Sequence, residues 1–413
     1  MLTPAYALTA TERVLPRLAL DFTTASLDAR VTVTRALDTA TRVNSSGLIE
    51  TVNANLPRFD YNPSTKVCKG LLIEETRVQT ARGSDLMSAW SRSSTTASAN
   101  VVVSPDGTQN ADLIYPSSSG NNRQVYIQSS TAPTSGNVAI SVFAADAGLN
   151  WLVIYSLNST TPVAWFDVAN GVKGTVVAGW TSEIEPYENG FYRCSVVGTA
   201  VAGGYITFGV ADADNSVAAT ASSTNGLYFW GAQCEAGAFK TSYIRNPDIT
   251  NGSSVTRNVD DVGMTGTNFS DWYNATEGTV VASFQVPVAT GAARRAISIN
   301  DGTANDSIQI ALVNSNNQGY VEIRDNLSVQ VTSTVGPNFT VGTPVNISLA
   351  YKVNSFAYAA FGGAAGTDPT GTVPTVSQMQ IGAHIGTYMN GWVSKINYYP
   401  QRLTDAEVRA ISK

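Results

Sequence analysis

Apolar and polar residues alternate with a period of two in short runs along most of the chain. Such alternation is typical of half-buried antiparallel strands, because successive side chains of a strand point to opposite faces. Turn-forming clusters of Asn, Ser, Gly and Asp separate the runs. Many short strands joined by frequent turns predict an all-β chain built from sandwiches. The clearest runs are 18–24, 30–36, 137–144, 204–211, 279–286 and 344–353.

One segment instead has the pattern of a helix, residues 404–413 at the end of the sequence. Thr404 is placed as its N-cap, and Glu407 three residues later completes a capping box. Heptad repeats are absent from the sequence. We therefore expect any oligomer to be held by sheet faces or edges and not by a coiled coil.

Composition narrows the possible functions. Charged residues make up 14% of the chain, against a usual value of about 25%, and the net charge is −6. An acidic chain without a Lys/Arg cluster lacks the basic surface that nucleic-acid binding requires. Cys68, Cys194 and Cys234 are odd in number and widely spaced, which fits neither a disulfide framework nor a zinc site, so we expect buried thiols.

The first 20 residues lack the basic start and apolar segment of a signal peptide, and no apolar run is long enough to span a membrane. We expect synthesis in a cytoplasm, with no nucleic-acid partner and no membrane insertion. Assembly into a virus particle released by lysis is one route by which such a protein reaches the outside.

Domain boundaries are suggested by a short repeat. The sequence VTRALD at 33–38 returns as VTRNVD at 255–260, directly after the linker-like stretch 245–254. We therefore predict two sandwich domains in tandem, at 81–250 and 251–413. Residues 1–80 are predicted to be a docking or anchoring region that could also supply strands to the first sandwich.

Four blocks of the sequence, in order, resemble tail, fibre and other virion proteins of tailed bacteriophages. They are PRFDYNPSTKVCKGLLIEETR (57–77), MSAWSRSSTTASANVVVSPDGTQNADLI (87–114), YFWGAQCEAGAFKTSYIRN (228–246) and the VTRNVD segment. The second and third blocks resemble a carbohydrate-binding-module jelly roll. The ending at 389–411 resembles that of a concanavalin A-like or laminin G-like sandwich. This resemblance implies an architecture and a virion setting, without a fixed set of functional residues.

Enzyme chemistry has few candidate residues. His384 is the only histidine, so a Ser-His or Cys-His system could be built only around it, although its glycine-flanked strand setting favours a structural imidazole. A pair of acids could serve a glycosidase. Glu74 and Glu75 are adjacent and would point to opposite faces of a strand, and Glu183, Glu185 and Glu188 could converge with other acids. We expect no enzyme.

Oxygen ligands for calcium are clustered on two predicted turns, Asp212 with Asp214 and Asp301 with Asp306. The alternative is that these acids cap their own backbone as Asx turns, which is the favoured interpretation. No cofactor is expected, and structural calcium is kept as an option.

Sugar binding relies on aromatic faces combined with amides and acids. Tryptophan in a sandwich is mostly buried, so the best candidates are aromatic residues among polar loop residues: Trp180, Tyr187, Trp272 and Tyr273.

The leading hypothesis is a structural protein exposed on a phage particle as a tail fibre, spike or capsid decoration. It would adhere to host glycans through many weak contacts. Its expected partners are other virion proteins and further copies of itself in a trimer. The alternatives are a polysaccharide depolymerase and a purely architectural cement protein.

Overall fold

The fold was analysed in a computed structural model, which describes residues 15–128, 133–201, 204–250, 254–287, 293–313 and 318–413. Strands hold 52% of the chain, and the described residues form two α-helices. The prediction of an all-β fold of antiparallel sandwiches with a short C-terminal helix is confirmed. Residues 1–14, which belong to the segment searched for a signal peptide, and residues 251–253 at the end of the predicted linker lie outside the described residues.

The strands are numbered along the chain. The first twenty-two are β1 Leu18–Asp21, β2 Thr32–Thr34, β3 Ala40–Val43, β4 Ile49–Val52, β5 Phe59–Tyr61, β6 Cys68–Ile73, β7 Arg77–Gln79, β8 Ser91–Ser93, β9 Thr95–Val103, β10 Gln109–Pro116, β11 Gly120–Asn121, β12 Gln124–Gln128, β13 Asn137–Ala147, β14 Trp151–Tyr155, β15 Pro162–Asp167, β16 Val172–Val176, β17 Thr181–Pro186, β18 Tyr192–Thr199, β19 Tyr205–Ala211, β20 Ala218–Ala219, β21 Gly226–Ala236 and β22 Val255–Arg257.

The remaining elements are β23 Asp261–Thr265, α1 Thr267–Ser270, β24 Glu277–Gln285, β25 Arg294–Asn300, β26 Ser307–Val313, β27 Gln318–Asp325, β28 Ser328–Val335, β29 Val345–Lys352, β30 Phe356–Ala360, β31 Gly366–Asp368, β32 Gln378–Ile381, β33 Ala383–His384, β34 Thr387–Tyr388, β35 Gly391–Tyr399 and α2 Asp405–Ile411. Short 3-10 turns lie at Phe22–Thr24, Met87–Ala89 and Glu188–Gly190.

The chain divides into two compact units. The first unit holds Val33–Asp261 with Thr23–Ala25, and the second unit holds Val262–Lys413 with residues 15–22 and Ser26–Thr32. Residues 33–80, which we predicted to be a docking region able to supply strands, therefore belong to the same unit as the jelly roll. β1 pairs with β35, so the chain before Phe22 contributes a strand to the second unit.

The first unit is a sandwich of two six-stranded sheets. One sheet has the order β17-β18-β13-β21-β10-β9 and the other has the order β16-β15-β14-β19-β12-β8. Alternate residues of β13, β14 and β19 fill the space between the sheets, including Val142, Ile154 and Phe208. The other face of β13 carries a second apolar cluster around Phe143, which packs against Trp230 and the β4 residue Ile49. β13 is therefore covered on both faces.

The three sequence blocks at 33–38, 57–77 and 255–260 meet in one buried ion network of the first unit. Asp260 accepts hydrogen bonds from Arg35 Nη1, at 2.8 Å, and from the Arg58 guanidinium. Arg58 Nη1 also donates to Glu74 Oε2 at 2.7 Å, and Arg257 Nη1 lies 2.9 Å from the same oxygen. All five side chains are at most 7% exposed, so their charges are compensated by one another and not by water.

The pKa of Glu74 shows how the charges of the network offset the effect of burial. Burial alone would raise the pKa of this carboxyl group, but the charges of Arg257 and Arg58 and the hydrogen bonds from Ser242 outweigh burial and lower the pKa to about 2. Ser242 donates to both carboxylate oxygens from its backbone N–H and its hydroxyl, at 2.8 and 2.6 Å. The network thus ties the closing segment after β21 to the N-terminal hairpins.

The second unit is also a sandwich of two sheets. Within this unit the strands follow the orders β31-β30-β29-β24-β35, where β1 also pairs with β35, and β23-β32-β25-β26-β27-β28. Isoleucines of β25 and β26 face the core, where Ile297 opposes Ile310 and Ile299 opposes Ile308. A side chain at Gly319 of β27 would clash with Ile347 of β29. The two sheets are therefore in direct contact at this point.

The predicted C-terminal helix and its cap are both present. Thr404 accepts a hydrogen bond from the Glu407 N–H, and the Glu407 side chain accepts one from the Thr404 N–H, which completes the capping box. Val408 of α2 is buried against Ala350 and Ala357 of the sheet. Burial of this single apolar face anchors a helix that is too short to be stable alone.

Candidate functional site

Two of the four predicted sugar-binding aromatics pack within the second unit. Trp272 is 1% exposed, its Nε1 donates to the Asn268 carbonyl at 2.9 Å, and its ring meets Tyr398 edge-on at 4.8 Å. Tyr273 is half-buried and stacks on Phe269 at 4.8 Å. The expectation that Trp272 is exposed is wrong, because its ring packs against the aromatic rings of Phe269, Tyr273 and Tyr398. Burial also raises the pKa of Tyr273.

The other two predicted aromatics lie in the first unit and are half-buried. The Trp180 ring packs over Gly198 of β18, where it leaves no room for a side chain. Tyr187 meets Phe143 edge-on at 4.9 Å, and its pKa is raised by burial and by the nearby Glu185 carboxylate. Both rings have one face on the core, and neither lines the cleft described below.

Each of the four aspartates proposed as calcium ligands accepts hydrogen bonds from other residues of the protein. Asp212 accepts from the Thr220 N–H and hydroxyl, and Asp214 accepts from the same two groups of Thr175. Asp301 caps Thr303 in the same way, and Asp306 accepts from the Asn326 N–H. Within the described residues, no group of three or more His, Cys, Asp or Glu is placed to hold a metal ion.

His384 is buried in the second unit and is hydrogen-bonded there. It is 8% exposed, and its Nδ1 lies 2.8 Å from the hydroxyl of Ser298, which is itself 0% exposed. Burial, helped by the charge of Arg295, lowers the pKa of the imidazole to about 4. A serine that is sealed beneath the ring cannot meet a substrate, so this pair does not provide an accessible nucleophile.

The cysteines are all free thiols. Cys194 and Cys234 are buried as expected, and burial raises the pKa of both thiols. Cys68 is only half-buried, which corrects the expectation that all three are buried, because it lies at the start of β6 where the hairpin with β5 opens to solvent.

A cleft of about 310 Å³ opens at one end of the first sandwich. It forms because β13 is longer than its neighbour β18. Pairing between these strands ends at Ala144 and Tyr192, whereas β13 continues beside β21 as far as Ala147. Residues 145–147 of β13 therefore have a partner strand on one side only. Ala145 and Asp146 line the cleft on the other side. Its volume is at the small end of the usual range for ligand sites, about 300–1,000 Å³.

Two tyrosines flank this unpaired strand end. Tyr192 begins β18, and its ring lies against Gly171, where a side chain would clash with it. Tyr228 of β21 stands opposite Ala145. Both tyrosines are half-buried, and among the described residues neither hydroxyl has a hydrogen-bond partner. The buried Phe191 and Val168 complete the apolar lining. Apolar ring faces beside open hydroxyls are the combination that sugar recognition uses.

The turn before β18 holds the cleft in shape. Asn189 lies at φ 61°, a conformation that Asn adopts more readily than most residues, and its side-chain Nδ2 donates to the Ser104 carbonyl at 2.7 Å. Sequence reasoning missed Tyr192 and did not treat Tyr228 as a site residue. The available signal was the sequence ENGFY, in which an αL-type turn places aromatics directly after it.

A second polar cluster lies on β25, β26 and β27 of the second unit, and its members Gln309 and Glu322 are buried. Glu322 of β27 accepts from Arg324 Nε at 2.7 Å and from the Tyr320 hydroxyl, and Arg295 Nε donates to Gln309 Oε1 at 2.7 Å. These groups are bonded to one another, whereas the tyrosine hydroxyls of the cleft are open. The cleft is therefore the stronger candidate for a ligand site.

In the described residues, no helix is long and apolar enough to cross a membrane. Neither a protein-family model nor a curated protein matches the chain significantly.

Solved structures with partial similarity include a carbohydrate-binding module, a pentraxin and a sialidase. The carbohydrate-binding module CBM40 of the Ruminococcus gnavus IT-sialidase is 16% identical over 37% of this chain and 93% of that chain, with a TM-score of 0.32. The SAP-like heptameric pentraxin of Limulus polyphemus is 14% identical over 34% and 70%, with a TM-score of 0.27. The NanB sialidase of Streptococcus pneumoniae, as its K499G mutant, is 14% identical over 36% and 26%, with a TM-score of 0.31. Scores this low carry no conclusion about ligand or activity.

Proposed function

We propose that this protein binds glycans and that the cleft at the end of β13 is its binding site. The observation that carries the proposal is the pair Tyr192 and Tyr228, whose half-buried rings and unpartnered hydroxyls flank the unpaired end of β13. A sugar ring offers an apolar C–H face to such rings and hydroxyls to the open phenol and backbone groups. The small volume limits the site to a short part of a glycan.

The proposed setting is the outer surface of a tailed-bacteriophage particle, where the protein serves as a tail fibre, spike or capsid decoration that adheres to the host. Support for this setting comes from the four sequence blocks that resemble such virion proteins. A small cleft binds weakly, and many copies on one particle compensate through effective concentration. The partners are other virion proteins, further copies of this chain in a trimer, and a host surface glycan.

The proposed activity is binding without catalysis. Its support is the position of His384, the only histidine of the sequence. His384 is buried together with Ser298 in the second unit. Incubation of host polysaccharide with the full chain is expected to release no reducing ends. Release that is lost in His384→Ala would favour the depolymerase alternative.

The test of the binding site uses a glycan array followed by titration calorimetry with the full chain. Tyr192→Ala and Tyr228→Ala are each expected to weaken binding at least tenfold, a loss of about 1.4 kcal/mol, because each removes one aromatic wall. The matched control is Tyr126→Ala, a half-buried tyrosine on the other sheet of the same sandwich. Equal affinity in all three variants would disprove the site, provided that circular dichroism shows each of them folded.

A further inference from the structure

The residues that line the cleft carry a single charge, which is negative, and this observation deepens the proposed function on which it rests. Of the residues that line the cleft, Asp146 is the only ionisable acid and none is Lys, Arg or His. Just outside the lining, acidic and basic residues both occur, and Arg193 directly follows Tyr192. Asp167 precedes Val168, and Glu188 precedes Asn189, where it is paired with Lys66 at 3.1 Å. A ligand in the cleft therefore meets the carboxylate of Asp146, which forms no ion pair among the described residues.

Asp146 is held in place while remaining open to a ligand. It lies on β13 opposite Leu227 of β21, beyond the last residue of β13 that pairs with β18. Its Oδ1 accepts from the Gly148 N–H at 2.8 Å, which fixes the carboxylate. Its Oδ2 has no hydrogen-bond partner among the described residues, and the side chain is exposed. While a carboxylate is ionised, its oxygens accept hydrogen bonds and donate none. The free oxygen of Asp146 therefore suits sugar hydroxyls or an ammonium group.

We infer that Asp146 is the residue that determines specificity and that the cleft takes uncharged and amine-bearing sugars while it rejects acidic ones. A sialic or uronic acid would bring a second carboxylate beside Asp146 with no cation among the lining residues to compensate it, and like charges in close contact are a strong means of exclusion. An amino sugar would place its ammonium group against the same carboxylate as a charge-assisted hydrogen bond. Neutral sugars would bind through their hydroxyls.

The probes for the test are three oligosaccharide sets: lactose and N-acetyllactosamine as neutral sugars, chitosan oligomers as amine-bearing sugars, and sialyllactose with glucuronate oligomers as acidic sugars. Calorimetry with the full chain is expected to give binding of the first two sets and at least tenfold weaker binding of the third. In Asp146→Asn the preference for amine-bearing over neutral sugars should fall at least tenfold. The control is Asp212→Asn, an exposed aspartate of the same unit that lies outside the cleft lining.

Salt dependence is a second measurement that needs no variant. Affinity for chitosan oligomers should decrease between low and high salt, because exposed charges are screened, while affinity for lactose should not change. If Asp146→Asn fails to fold, this measurement on the unaltered protein still decides the inference.

The outcomes separate the two proposals. Binding of acidic sugars that is lost in Tyr192→Ala and Tyr228→Ala would overturn the charge selection and leave the glycan site standing. An unchanged preference in Asp146→Asn, or an affinity for chitosan oligomers that does not vary with salt, would also overturn the role of Asp146. Failure of every sugar set to bind, or binding that is insensitive to both tyrosine variants, would overturn the glycan site and the selection with it.

Discussion

Asp260→Asn should destabilise the first unit strongly. The Asp260 carboxylate accepts from Arg35 at 2.8 Å and from the Glu74 N–H at 3.0 Å, and it also pairs with Arg58, with its side chain 2% exposed. Asparagine keeps the volume and one acceptor but removes the charge that compensates two buried guanidinium groups. Removing one partner of a buried ion pair costs about 3–5 kcal/mol. This is a large part of the total stability of an ordinary domain, about 5–15 kcal/mol.

The assay is hydrogen exchange of amides in Val33–Asp261 across a urea series, which isolates this unit from the rest of the chain. With a urea m-value of about 2 kcal/mol/M, the midpoint should fall by about 2 M. The matched control is Glu50→Gln, because the Arg42–Glu50 pair at 2.6 Å is of similar geometry but has side chains 26% and 36% exposed. An exposed pair contributes roughly 0–1 kcal/mol. Equal small losses in both variants would refute the view that the buried charges are balanced against each other.

Two pH dependences follow from the folded-state pKa values. Glu74 has its pKa lowered to about 2, so its contribution to stability is complete above the unfolded value of 4.5 and is lost as the pH falls from there towards 2; the Glu74→Gln variant should lack this acid-dependent loss. His384 stays neutral in the fold with a pKa of about 4, and the unfolded chain takes up its proton first. The second unit should therefore lose stability as the pH falls from 6.5 to 4, and a proton NMR titration of the imidazole with a midpoint near 6.5 would contradict this reasoning.

Local patterns predicted local structure well. Thr404 and Glu407 are three residues apart, and both partners of the capping box lie within one turn of helix, so no distant contact is needed to predict it. Alternation along 137–144 likewise predicted a strand, and this segment lies within β13. What alternation cannot show is which face is covered. Both faces of β13 are buried, because Phe143 lies under a cluster that includes Ile49, almost a hundred residues earlier.

The candidate site depends on such distant relations. The burial of Trp272 depends on Tyr398, far along the chain, so its polar neighbours in sequence led to the wrong prediction. The cleft arises from a difference in the lengths of β13 and β18, which no single segment reveals. Asp146 was not singled out in the sequence because an acid at the end of a predicted strand is an ordinary turn residue.

The residues of the ion network carry part of the sequence resemblance and do not line the cleft, whereas Tyr228 both lines the cleft and begins the third block. Arg58, Glu74 and Asp260 belong to the blocks that resemble phage virion proteins, and all three are buried where no ligand can reach them. A protein that shares these three residues would therefore share the buried ion network that joins the N-terminal hairpins to the closing segment. The presence of this network carries no information about the ligand. Asp146 and Tyr192 lie outside the blocks. Substitution at these two positions could change the recognised sugar without disturbing a single buried charge of the network.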